Sequence, residues 1–428
     1  MADFNGTSGD DSYTGTQGYD RISGGGGDDH LDGAGGDDVI DGGSGTNMLR
    51  GGDGSDTINS YGHHDSIEGG QGDNKINVYG VLGGTIDGGV TDDRGNPLIR
   101  SDLFFHNASF DATSGTSVVR NFRTVSGRLL GTEGDDRVDL SSLRGGRGIE
   151  GFLTIVGGAG RDSIVGSNLR DIMFGDAELP SWEGEVGEAD VLRGRGGDDE
   201  IQGGVGDDDI NGGNDQDILQ GGSGADVVLG GGGNDIITGT RYFHHYRVEY
   251  ADADAVADRL DGGEGWDRIY GGYGDIIDGG TGASGESDIL WLDLSEGNAG
   301  VTADFSSIAE GGTLAVGGGS ITGIERLDEL VGTRFADDLT IFGGTTVRAG
   351  GGDDRVNGSE MDNNFTGEGG NDALYGHDGN DFLRGGVGND VLEGGSGADA
   401  LGYGLSGIAV EAGDDVMNGG AGGDRLNG

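Results

Sequence analysis

Cysteine is absent from this 428-residue chain, so no disulfide braces it and no thiolate zinc site is available. Proline is confined to Pro97 and Pro180, unlike a proline-rich spacer. Hydrophobic residues make up only 32%, against about 45–50% in ordinary globular domains. No apolar run approaches the ~20 residues of a membrane span. Basic residues are few: 25 Lys and Arg face 78 Asp and Glu, a net charge of −53. That acid excess repels nucleic acid and anionic membrane surfaces and makes divalent cations the expected partners. The opening MADFNGTSGDD has neither a basic region nor an apolar core and is not read as a cleaved secretory signal. Low hydrophobicity with high net charge is the composition of a disordered chain. Either the chain is unstructured, or something other than a large core stabilises it.

What the sequence has in abundance is glycine, 103 residues of it, arranged on a beat. From Gly6 to Asn77 the chain divides into nonapeptides without a slip: GTSGDDSYT, GTQGYDRIS, GGGGDDHLD, GAGGDDVID, GGSGTNMLR, GGDGSDTIN, SYGHHDSIE and GGQGDNKIN. The shared pattern is G-G-x-G-x-D-x-U-x, with U large and apolar. Position six holds Asp20, Asp29, Asp38, Asp56 and Asp65, with Asn47 and Asn74 as weaker substitutes. Position eight runs Tyr13, Ile22, Leu31, Ile40, Leu49, Ile58, Ile67 and Ile76. The beat returns with Asp162, Asp190, Asp199, Asp208, Asp217, Asp226, Asp235 and Asp267, then with Asp354, Asp372, Asp381, Asp390 and Asp399, and finally with Asp415 and Asp424. Simple Gly/Asp bias does not keep an apolar residue two places after the acid across such interruptions. The organisation read from this is a first repeat block at 6–77, irregular rungs at 78–156, a second block at 157–278 with insertions at 175–184 and 239–252, a spacer at 279–348, and a third block at 349–428. ILWLDL and the stretch around Val301, Ala303 and Phe305 alternate as short strands.

The x-U-x segments have room for three-residue strands, and the G-G-x-G-x-D segments read as turns. Two nonapeptides then form one coil, and coils stack at the strand spacing of ~4.8 Å. Alternate repeats fall on opposite parallel sheets, with position eight pointing inward from both. The predicted fold is all-β, a parallel β-roll or β-helix solenoid with irregular insertions. The same stacking lines the acids up in rows. Bare carboxylates ~5 Å apart repel by roughly 0.8 kcal/mol per pair even in water, so the metal-free chain is expected to be unfolded. The ligands on offer are carboxylates and glycine carbonyls, all hard oxygens. Calcium takes six to eight of these in flexible geometry, magnesium demands a strict octahedron and keeps its waters, and zinc and copper prefer nitrogen or sulfur. Multiple Ca²⁺ ions, bound by the position-six carboxylates and coupled to folding, are therefore the expected cofactor.

The pattern resembles the calcium-binding nonapeptide of the RTX (repeats-in-toxin) family. The longer signature D-x-[LI]-x4-G-x-D-x-[LI]-x-G-G-x3-D runs from Asp199 through Asp208 to Asp217, from Asp372 through Asp381 to Asp390, and from Asp381 through Asp390 to Asp399. The stretch Val301–Asp338 is similar to the spacer found between such repeats. The resemblance implies a right-handed roll with calcium in both rows of turns, Gram-negative origin, a secreted or cell-surface location and type I export through an uncleaved C-terminal signal. This chain departs from that pattern by ending in GGAGGDRLNG, still in the repeat register. The expectation is a fragment or a different export route, with an uncapped roll end open to self-association.

No HExxH, GxSxG or P-loop occurs. The insertion Gly239–Asp258 gathers Tyr242, Phe243, His244, His245, Tyr246, Tyr250, Asp252 and Asp254, a candidate sugar or transition-metal site. Aromatics covering the side of the roll are the preferred reading, since adjacent histidines in a strand face opposite ways. His63–His64 read as solvent-facing turn substitutions, Trp182 as a loop anchor or a sugar platform, Trp266 as partly exposed and Trp291 as strand packing. Asp135–Asp136 and Asp337–Asp338 read as turn acids rather than an acid–base pair. Two functions follow. The leading one is a non-enzymatic extracellular calcium-binding protein with a structural or adhesive role, cell-surface or matrix polysaccharide being a candidate partner. The alternatives are an extracellular hydrolase or polysaccharide-modifying enzyme using the rungs at Leu103–Val156 or Ser287–Arg348, or the repeat part of a larger toxin.

Overall fold

The computed structural model describes residues 1–82, 85–87, 102–110, 118–120, 124–131, 134–141, 153–176, 188–239, 243–244, 247–248, 256–280, 287–309, 311–402 and 413–427. These form a β-roll of parallel strands in two compact units, Met1–Ile218 and Leu219–Gly428.

In the first unit one sheet starts Asp3–Asn5, Arg21–Ser23, Val39–Asp41, Thr57–Ser60 and Lys75–Val78, each strand paired parallel to the next. The opposite sheet starts Ser12–Thr14, His30–Asp32, Met48–Asp53 and Ser66–Gln71. The step along either sheet is eighteen residues, as the Asp38–Asp56 and Asn47–Asp65 contacts give it. Two nonapeptides therefore make one coil. Beyond the first run the sheet continues through the irregular strands Asp102–Phe110, Thr124–Leu130 and Leu153–Val156. Steps there lengthen, to 26 residues between Asp136 and Asp162 and 28 between Asp162 and Asp190. The pairing of Asp102–Phe110 with Thr124–Leu130 slips once, between Phe105 and Ala108.

The second unit repeats the plan. Val227–Gly232 pairs with Arg259–Glu264, and Ile236–Thr238 with Arg268–Gly271. The spacer contributes Ile289–Asp293, with a bulge between Leu290 and Trp291, and Thr302–Asp304. It adds a four-residue helix, Ser306–Ala309, and an antiparallel hairpin of Leu314–Val316 with Gly319–Thr322. Val301, Ala303 and Phe305 are buried, as the alternation predicts. Regular coils resume at Thr346–Gly351, Asn364–Gly369 and Phe382–Val387 on one side, and Arg355–Asn357, Ala373–Asp378 and Val391–Gly397 on the other.

The core is a double file of position-eight side chains. Ile22, Ile40, Ile58 and Ile76 are at most 1% exposed in one file, and Leu31, Leu49 and Ile67 match them in the other. Each such side chain contributes about 1.5–3 kcal/mol by leaving water. Phe4 and Tyr13 stack at 4.3 Å. Strands are longer than the predicted three residues in many rungs. Asp209–Asn214 and Met48–Asp53 run on through positions one to three of the following repeat. Pairs such as Gly52 with Gly70 and Gly350 with Glu368 extend the ladder there. The turn proper shrinks to positions four to six.

Candidate metal centre

Each position-six acid stands two residues before a buried aliphatic, at the mouth of the turn, and is itself buried: Asp20, Asp29, Asp38, Asp56, Asp65, Asp162, Asp190, Asp199, Asp208, Asp217, Asp226, Asp235, Asp267, Asp354, Asp372, Asp381, Asp390 and Asp399 are 5% exposed or less. Asp415 and Asp424 are half-buried. One carboxylate oxygen has a fixed role. The N–H of Asp38 donates to Oδ1 of Asp56 at 2.8 Å, that of Asp20 to Asp38 at 2.7 Å, that of Asp199 to Asp217 at 2.8 Å, and that of Asp354 to Asp372 at 2.9 Å. The same bond reaches Asp415 from Asp390 and Asp424 from Asp399. Oδ1 thus ties each coil to the one before it.

The second oxygen is different. Oδ2 of Asp29, Asp38, Asp56, Asp162, Asp199, Asp354, Asp372, Asp381, Asp390 and Asp399 is buried without a hydrogen-bond partner. In Asp29, Asp38, Asp56, Asp162, Asp199, Asp372 and Asp381 it lies over the position-one glycine of its own repeat, next to a main-chain carbonyl of the next coil. A Cβ built on Gly24 would stand 2.2 Å from Asp29 Oδ2 and 2.5 Å from the Gly42 carbonyl. On Gly194 it would meet Asp199 Oδ2 at 2.3 Å and the Gly212 carbonyl at 2.4 Å, and on Gly367 it would meet Asp372 Oδ2 at 2.2 Å and the Gly385 carbonyl at 2.5 Å. The recurring unit is a buried, unpartnered carboxylate oxygen next to a carbonyl oxygen. That donor set suits a hard cation taking many oxygens. Among the described residues no three His, Cys, Asp or Glu side chains converge to hold a metal, so carbonyls must supply part of any ligand set.

Burial sets the electrostatics. It pushes Asp199 up to about 9, Asp162 and Asp354 to about 8, and Asp190 and Asp208 to about 7. Asp38, Asp56, Asp372 and Asp381 rise to about 6. In each, desolvation is the largest cause, the bond from the adjacent coil opposes it, and neighbouring carboxylates come after. This corrects the emphasis on bare row-to-row repulsion: the acids are handcuffed to backbone N–H groups, and loss of water outweighs mutual repulsion.

The sequence pattern omitted several members of the rows. Asp136, Asp171, Asp258, Asp275, Asp288 and Asp337 are 3% exposed or less. Asp258, Asp275, Asp288 and Asp337 accept the same kind of bond, from Asp226, Asp258, Asp267 and Val301. The usable signal was an Asp two places before a buried aliphatic, as in Asp258–Leu260 and Asp288–Leu290, even where the glycines degenerate. A second ladder was not foreseen. At position five, Asp28 donates its N–H to Asp10, Thr46 to Asp28, Ser55 to Asp37 and Asn371 to Asp353. These exposed bonds point back toward the preceding coil, opposite to the position-six ladder, so each turn is clasped from both sides.

Trp266 is 54% exposed. Trp291 stacks on Tyr270 at 4.7 Å on the outer face of its sheet, and His63 is exposed. In the long insertion, Phe243–His244 pairs antiparallel with Arg247–Val248; their side chains, Tyr242, His245, Tyr246, Tyr250, Asp252, Asp254 and Trp182 lie outside the described residues.

Against this geometry, the family model for the RTX calcium-binding nonapeptide repeat matches residues 5–40, 41–76, 154–178, 186–219, 211–241, 251–275, 348–383, 366–401 and 408–428. Together these matches cover more than half of the chain. No curated protein matches it.

Proposed function

The chain belongs to the RTX calcium-binding nonapeptide repeat family, and we propose that its position-six carboxylates hold the ions, that calcium completes its folding, and that it works outside a Gram-negative cell as a structural or adhesive component. The single observation that carries this reading is the set of buried carboxylate oxygens left without a partner. An unsatisfied buried polar group loses about 1–3 kcal/mol, and more when charged. Two per coil rival the ~3–6 kcal/mol brought by that coil's two core side chains. A cation shared with the adjacent carbonyls removes the penalty and supplies the missing stabilisation.

Extracellular calcium modules bind at about 10⁻⁴–10⁻³ M, a range suited to a chain that stays open in a calcium-poor cytosol and closes after export. Among the described residues no helix is long and apolar enough to cross a membrane. Far-ultraviolet circular dichroism during calcium titration, with bound ions counted by calorimetry, tests the reading. We expect strand signal to appear with calcium, disappear with chelator, and fail to return with magnesium at equal concentration. Equal strand content after exhaustive chelation, or uptake of only one or two ions, would overturn it.

A further inference from the structure

Two classes of turn differ in the residue at position two; Asp65 and Asp275, whose Oδ2 atoms accept from the Ser60 hydroxyl at 2.5 Å and the Gly272 N–H at 2.7 Å, fall outside both. Where Oδ2 of the acid is unpartnered, position two has a left-handed backbone: φ is +93° at Gly25 before Asp29, +113° at Gly158 before Asp162, and +102° at Gly350 before Asp354. Glycine is not the cause. Ala34, Arg195, Glu368 and His377 occupy the same position with φ of +68°, +85°, +74° and +75°, and the acids that follow, Asp38, Asp199, Asp372 and Asp381, also keep an unpartnered Oδ2.

The other class has threonine or serine at position two, and none of these residues has positive φ. Thr16 donates its N–H to Asp20 Oδ2 at 2.5 Å and its hydroxyl to the same oxygen at 2.9 Å. The Ala2 N–H and the Thr16 hydroxyl take Asp20 Oδ1. Thr7 treats Asp11 the same way, at 2.6 and 3.0 Å. Thr333 gives its N–H to Asp337 Oδ2 at 2.7 Å and its hydroxyl to Oδ1 at 3.0 Å, while Val301 also donates to Oδ1. Ser167 gives both groups to Asp171 Oδ2 at 2.7 and 3.0 Å. In these turns the acid that would face a cation has already found its donors within its own repeat.

We propose that a hydroxyl residue at position two converts a turn from a calcium site into a self-capped turn that stays free of metal, so that Asp11, Asp20, Asp171 and Asp337 serve as internal caps while Asp29, Asp199, Asp354 and their like bind ions. This rests on the calcium reading above. The physical reason is that a carboxylate must leave two donated hydrogen bonds to enter a metal shell, whereas an unpartnered oxygen gives up nothing. The hydroxyl turns also stand near the starts of repeat runs: Thr7 and Thr16 in the first, Ser167 in the second, Thr333 just ahead of the third. The first run thereby begins on two turns that need no ion.

The test is calcium stoichiometry of the full chain, by calorimetry and by native mass spectrometry, in paired variants. Asp199→Asn and Asp354→Asn should each lower the count by about one or two ions, and Asp20→Asn and Asp337→Asn should leave it unchanged. Thr16→Gly and Thr333→Gly keep every carboxylate and should each add about one ion. Equal losses in Asp20→Asn and Asp199→Asn, or no gain in either Thr→Gly variant whose strand signal in saturating calcium matches the unaltered chain, would overturn the sorting. A chain that binds no calcium before any substitution would instead overturn the reading beneath it.

Discussion

Position one of the repeat shows how a residue is dictated by space rather than by dihedral angle. Gly194 lacks a positive φ, yet a Cβ there would stand 2.3 Å from Asp199 Oδ2 and 2.4 Å from the Gly212 carbonyl. Gly18, by contrast, has nothing within 4 Å of that point. Gly194→Ala should therefore destabilise the calcium-loaded chain by about 1–3 kcal/mol through overpacking, and Gly18→Ala should be near neutral. Thermal midpoints in saturating calcium would show it; equal shifts would mean that the crowding is relieved at no loss. The acid–aliphatic couple was legible in the sequence because both members are chemically restricted: a buried carboxylate and a core side chain two places on. The ladder at position five was not legible. Asp28, Thr46, Ser55 and Asn371 all donate through the main chain, which leaves no mark on residue type at the donor end.

A coil carries its acids in a protonation state that depends on whether metal is present. In the calcium-free fold Asp162, Asp199 and Asp354 sit at about 8, about 9 and about 8, against about 3.9 for an unfolded aspartate. The folded form therefore binds more protons than the unfolded form between those limits. Its stability is highest near pH 4 and is lost as pH rises toward 9. In chelator, strand ellipticity should grow as pH falls from 9 to 5, and the calcium concentration at half-folding should fall over the same change, because protons compete with calcium for the same oxygens and take over part of its stabilising role. A calcium midpoint indifferent to pH would contradict that competition. Core truncation acts on the same element: Ile40, fully buried, should lose about 2–5 kcal/mol on Ile40→Ala, read by chemical denaturation in saturating calcium. The sheets themselves were legible from the nine-residue beat. Strand lengths were not, because the G-G-x segment has turn composition and nonetheless continues the ladder.

Over the whole chain the charge of −53 sets the response to salt. Exposed carboxylates repel at long range, and ~0.1 M salt screens them beyond about 10 Å. Buried oxygens over the position-one glycines gain nothing from a diffuse ionic atmosphere. Raising sodium chloride without calcium should shrink the chain's hydrodynamic radius while leaving the strand signal low; recovery of that signal by sodium alone would show that screening, and not coordination, is the missing term. The irregular rungs explain why sequence regularity understates the fold: Ile289–Asp293 and Arg326–Val331 pair across a 37-residue step from Asp288 to Glu325, with no repeat motif between them to announce it.

Alternation of repeats between the two sheets gives the molecule a parity. Excising a coil of eighteen residues, such as Gly367–Arg384, would splice like onto like and leave every downstream aspartate on its original edge. Excising nine would exchange the edges for everything that follows, and the ladder from Asp372 to Asp390 would have to be rebuilt on the other flank. The chain can be shortened or lengthened by even counts of its motif, and resists odd ones.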